Sequence, residues 1–136
     1  MKSSIARSKS VALIFRGFEL SVEEVEALVG VSATRCGTRG EPVRAGVKTL
    51  LIRSYVGYTH EFEDDCPLDD MVRSLLNKLG GVDHLCRVRA AVQPEFLEMD
   101  FKLPVKRSDE VQDGFLSPSV IASVFALQAT VSFGFF

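Results

Sequence analysis

The spacing of hydrophobic positions changes several times along the chain, and each change marks an element. Residues 11–18 open on an unbroken apolar run, Val11-Ala12-Leu13-Ile14-Phe15, as in a strand buried on both faces. Val22, Val25, Leu28 and Val29 then share one helical face over residues 22–29. Ser21 and Glu24 have the spacing of a capping box, and Leu20 and Val25 that of a hydrophobic staple. Gly30 supplies the left-handed residue that stops the helix. Residues 32–46 read as a loop rich in Gly, Arg and Thr. Residues 48–56 read as a second strand, with Leu50 and Ile52 on one face and Leu51 and Tyr55 on the other.

The clearest helical stripe is Leu68, Met71, Val72, Leu75, Leu76 and Leu79, with Pro67 suited to the first helical position. Asp69 and Asp70 lie in its first turn and Lys78 in its last, each complementing the helix dipole. Residues 82–92 satisfy both periods. Val82, Leu85, Arg89 and Val92 suit a helix, while Val82, Cys86, Val88, Ala90 and Val92 suit a strand, and a short helix is preferred. From Phe96, Leu97, Met99, Phe101, Leu103 and Val105 alternate with Glu98, Asp100 and Lys102, which predicts a half-buried strand. Pro104 puts that strand at an edge or at its end. Ser117-Pro118 opens a last helix, with Leu116 stapled to Ile121, and residues 129–136 alternate as a final strand.

The two ends of the chain match. Gly17-Phe18 precedes Ser21 as Gly114-Phe115 precedes Ser117, and Ala33-Thr34 follows the first cap at the separation of Ala129-Thr130 from the second. This predicts an α+β two-layer sandwich, a small and mainly antiparallel sheet with about three helices on one face. Its strand-helix-strand unit would be used twice. Residues 1–10 are a polar, serine-rich tail, and residues 11–136 form one domain.

Composition narrows the function classes. A chain of 136 residues with 46% hydrophobic and 25% charged content buries a core as one ordinary domain. Its formal net charge of -2 provides no field to draw it to nucleic acid or an anionic membrane, and neither partner is expected. The apolar run behind Lys2, Arg7 and Lys9 is too short for a signal peptide. Three widely spaced cysteines match neither a disulfide framework nor a Cys-x-x-Cys motif, as for reduced thiols in a cytoplasm. The tail after Asp113 carries no charge, but Ser117, Ser119, Ser123, Gln128, Thr130 and Ser132 argue against a membrane span. A buried helix and a central strand are expected there.

Three groups of residues are candidates for chemistry. The basic glycine loop offers Arg35, Thr38, Arg39, Arg44 and Lys48, with Cys36, Gly37 and Gly40 between them. Arginine forks and converging amides bind phosphate or carboxylate, although no phosphate-loop spacing is present. The acidic stretch His60, Glu61, Glu63, Asp64, Asp65, Asp69 and Asp70 lacks the spacing of a calcium loop. Its Glu61, Glu63, Asp64 and Asp65 suit a surface for a basic protein partner. Cys36, Cys66 and Cys86 with His60 and His84 lack any signature of a nucleophile or a zinc site, so no catalytic residue, metal or cofactor is assigned. Phe133, Phe135 and Phe136 offer apolar surface and a strand edge for a homodimer.

The opening strand, the acidic helix from Ser21 to Gly30, Ala33-Thr34-Arg35, Arg39-Gly40-Glu41, the Leu68 to Leu79 helix and the closing Leu116-Ser117-Pro118 segment occur in that order. In this the chain resembles a small bacterial family, domain of unknown function 4279, over nearly its whole length. Ala33 stands where members often carry Pro, and Leu50 or Leu51 where they carry Trp. The resemblance implies an α+β fold and a bacterial cytoplasmic origin, and it brings no activity or catalytic residue. The expected function is a non-enzymatic binding or interaction module, accessory or immunity-like. A binder of small anions at the Arg35 to Lys48 loop is the alternative, and a thiol or metal enzyme ranks last.

Overall fold

A computed structural model describes residues 9–105 and 114–136. The elements in chain order are β1 (Lys9–Arg16), α1 (Val22–Val29), β2 (Arg35–Gly37), β3 (Tyr55–Phe62), α2 (Leu68–Lys78), α3 (Val82–Val92), β4 (Phe96–Leu103), α4 (Pro118–Leu127) and β5 (Thr130–Phe135). The strands form one open sheet in the order β2-β3-β1-β4-β5. Every pairing is antiparallel except β4 with β5, which run parallel because α4 carries the chain back between them.

The register divides the sheet into two unlike faces. Val11, Leu13 and Phe15 of β1 sit between Val56 and Tyr58 of β3 and Leu97, Met99 and Phe101 of β4, all buried under the helices. The helices cover them with Val22, Val25 and Val29 of α1, Met71, Val72 and Leu75 of α2, Leu85 and Val88 of α3, and Val120, Val124 and Leu127 of α4. The outer face is polar. Arg16 Nε donates to Glu98 Oε1 at 3.0 Å, and Ser132 donates to Asp100 at 2.9 Å. Ala12 and Ile14 are nonetheless buried on that face, so β1 is covered on both sides, as its unbroken apolar run predicts.

The capped helices form as their sequences dictate. Ser21 accepts from the Glu24 amide at 3.1 Å, and the Glu24 carboxylate accepts from the Ser21 amide at 2.9 Å, completing the capping box. Gly30 closes α1 at φ 91°, a conformation that only glycine adopts without strain. Ser117 caps α4, with Pro118 in its first turn.

Some expectations hold and others change. Residues 82–92 are helical throughout, so four helices cover the sheet. The strand expected at 48–56 lies later, at Tyr55–Phe62. Leu50 instead makes a single bridge to Pro42 inside a long loop, and Ile52 is exposed. β4 is an inner strand that ends just before Pro104. β5 is an edge strand, because the parallel crossover through α4 sets it outside β4. The two strand-helix-strand units share their caps but enter the sheet differently: β2 lies two places from β1, whereas β5 lies directly beside β4.

Candidate functional site

The site is built at the end of the sheet where β1 begins and β3 and β4 finish. Lys9 pairs with Phe62 there, and Ser10 with Lys102, so the β3–α2 turn and the C-terminal ends of β4 and β5 meet. A groove of about 840 Å³ opens between them. Its apolar wall is Phe115, Ile121, Phe133 and Phe135, all largely exposed, and Asp64, Asp65 and Lys9 form the opposite rim. Phe133 stacks on buried Phe101, with ring centroids 5.0 Å apart, so one wall of the groove is fixed to the core. Phe125 lies one helical turn beyond Ile121, away from the buried Val120, Val124 and Leu127 stripe, and is 79% exposed.

A polar link sets the two helix starts beside this groove. Ser117's backbone N–H donates to Asp69 Oδ1 at 2.8 Å, and Arg73 reaches Asp69 at 3.4 Å and Ser119 at 3.1 Å. Hydrogen bonds from Ser117 hold the Asp69 carboxyl below its usual range, with burial opposing and Arg73 assisting.

The acidic residues divide between two places. Asp64 and Asp65 join the groove, whereas Glu61 lies on the outer face of the sheet, and Glu63 accepts the Cys66 amide through its backbone carbonyl. Asp69 and Asp70 belong to α2 and both reach Arg73. His60 lies beside Phe62, with ring centroids 4.2 Å apart. Burial lowers its pKa and Lys78 adds to the shift.

The residues of the basic loop are spread over more than one place. The amides of Thr38, Arg39, Gly40 and Glu41 donate to Glu41 Oε1, Ser54 Oγ, the Leu51 carbonyl and the Thr38 carbonyl. Those donors are turned inward, and Arg44 and Lys48 lie further along an exposed turn. Arg35 is apart from them, on β2. Its stem lies over Gly57 beside Ile14, and it lines a small groove with Thr34, Thr59, Glu61, Asp100 and Lys102.

The Cys36 and Cys66 thiols are held in their protonated form. Burial, then Glu26, Glu23 and Glu41, push the Cys36 thiol up, and burial and Asp70 do so for Cys66. Cys36 pairs with Val56, four residues along β3 from His60, which separates them by about 13 Å at strand spacing. The His84 ring nitrogen is bonded to the Val29 carbonyl at 2.8 Å. Among the described residues, no group of three or more His, Cys, Asp or Glu side chains is arranged to hold a metal ion, and no helix is long and apolar enough to cross a membrane.

Sequence reasoning singled out Phe133 and Phe135 but passed over Phe115, Ile121 and Phe125. Ile121, placed by the sequence against Leu116 as a staple, is about half exposed. A readable signal existed: Ile121 and Phe125 are four apart and off the Val120, Val124, Leu127 stripe, within a charge-free segment.

Fold and surface define a two-layer α+β domain with an apolar, acid-rimmed groove at one end of its sheet. The chain belongs to the family described as Domain of unknown function (DUF4279), whose profile matches residues 6–134. No curated protein and no solved structure matches it.

Proposed function

We propose that the chain is a non-enzymatic bacterial cytoplasmic binding module of accessory or immunity-like type. It acts through protein contact, with the C-terminal unit of α4 and β5 as its contact surface. One observation carries this reading: Phe115, Ile121, Phe133 and Phe135 line a single groove in a stretch of 23 residues, 114–136, without a charge. Apolar side chains gathered on a surface gain roughly 25 cal/mol for each Å² that a partner covers. Asp64, Asp65 and Lys9 on the rim orient a partner by charge.

A photo-crosslinking residue placed at Phe125 in the native host tests the assignment against the same residue at Arg44. Discrete adducts from position 125 that vanish on Phe133→Glu are expected. Adducts from position 44 alone would move the surface to the basic loop, and their absence from both would end the interaction reading.

A second reading keeps anion binding at Arg35, which shares its groove on the outer face with Lys102 and with the carboxylates of Glu61 and Asp100, the latter bonded to Ser132. Thermal stabilisation by phosphate or a dicarboxylate, lost in Arg35→Ala, supports it. No stabilisation by either compound removes it.

A further inference from the structure

Resting on the contact surface proposed above, we infer that its occupant is a second copy of this chain, joined through the outer edge of β5 about a two-fold axis at Phe133. The backbone defines that edge. Phe136 bonds to the end of β4 and the residues just after it through both its groups: its amide donates to the Leu103 carbonyl and its carbonyl accepts from the Val105 amide. In a parallel ladder the two groups of one residue face the same neighbour, and successive residues alternate. Ser132 and Gly134 therefore face β4, while Val131, Phe133 and Phe135 direct their amides and carbonyls outward. Among the described residues no strand takes them up.

Two further observations select a second copy as the occupant. Proteins usually blunt a free edge with charge, proline, a bulge or brevity. The opposite edge follows that rule, since β2 is only three residues long. β5 has six residues with no charge, proline or interruption. The second observation concerns like charges. Across a two-fold axis every residue near the axis meets its own copy, so any charge there repels itself. No side chain of residues 114–136 carries one.

Antiparallel pairing about Phe133 sets Phe133 against itself and Val131 against Phe135 of the partner subunit. Each is a pair whose outward groups can exchange both hydrogen bonds. The sheet then runs unbroken through both copies, and Phe133 and Phe135 gain cover on the helix side.

Sedimentation and amide exchange of the full chain test this together. At micromolar concentration the chain is expected to sediment at twice its 15.0 kDa mass. Phe135→Pro removes an outward amide without touching the β4 ladder, and should weaken the dimer at least ten-fold. In the unaltered protein the amides of Val131, Phe133 and Phe135 should be protected in the dimer and exposed on dilution, while those of Ser132 and Gly134 stay protected throughout. This second readout holds even if the proline variant does not fold. A monomer at all concentrations, a dimer indifferent to Phe135→Pro, or protection unchanged by dilution would each overturn the inference. If crosslinks still form at position 125 in a monomeric protein, the dimer alone is lost. If none form, the contact surface falls with it.

Discussion

The amide of Ser117 donates to the buried carboxylate of Asp69 at 2.8 Å, although the two lie 48 residues apart. Ser117 also caps its own helix, its hydroxyl accepting from the Val120 amide at 3.4 Å. One residue thus starts α4 and fastens that start to α2. The groove wall made by Phe115 and Ile121 flanks this fastening.

Acid should loosen it. The Asp69 carboxyl titrates below its usual 3.8 in the folded chain, so the folded state binds fewer protons than the unfolded one. Its stabilisation is complete above about pH 4 and fades as pH falls through the lowered value. Thermal melts between pH 2 and 7 should show a steeper acid loss for the native chain than for Asp69→Asn. Equal slopes would contradict the link.

His60 contributes at a higher pH. Burial, with help from Lys78, lowers its pKa, so folding favours the neutral ring. That stabilisation is present above about pH 6.5, the unperturbed value, and is lost as pH falls through the lowered one. Titration of the His60 ring by NMR should give a midpoint below 6.5, and His60→Phe should flatten the stability profile just below pH 6.5.

Tyr58 ties β3 to the segment after α1, its hydroxyl donating to the Val31 carbonyl at 2.9 Å. Burial, then Glu26 and Cys36, raise its pKa beyond the usual phenol range. Tyr58→Phe should cost about 1 kcal/mol, a fall of roughly 3–5 °C in Tm for a domain of this size, read by calorimetry.

Gly37 anchors the basic loop by being bare. A Cβ there would lie 2.6 Å from both Leu51 Cδ1 and Tyr55 Cε1. Gly37→Ala must displace both and should destabilise the chain by about 1–3 kcal/mol. Phe125→Ser, which exposes nothing new, should change stability by less than about 0.5 kcal/mol in a denaturant titration.

Local signals were legible and long-range placement was not. Ser21, Gly30, Ser117 and Pro118 announce their helices because caps and stops act within one turn. The misplaced strand shows the opposite case. Leu50, Leu51 and Ile52 look like core in sequence, yet Leu51 packs over Gly37 and Ile52 faces water. The true strand hid behind its wet face, where Gly57, Thr59 and Glu61 interrupt Val56, Tyr58 and His60. Sheet order is non-local, so the residues of β5 suit a central strand as well as the edge that Phe133, Phe135 and Phe136 also offer. The groove combines both problems: Asp64 and Phe133 were each visible, but only the shared end of β1, β3 and β4 brings them together.

Hydroxyl-radical footprinting of the protein inside living cells, compared with dilute purified protein, bears most directly on the contact surface. Phe125 and Phe135 should react several-fold less in cells, while Ile52 and Phe96, equally apolar and exposed but outside the C-terminal unit, react alike in both. Equal labelling of Phe125 and Phe135 in the two settings would contradict the assignment of α4 and β5 as the surface through which this chain works.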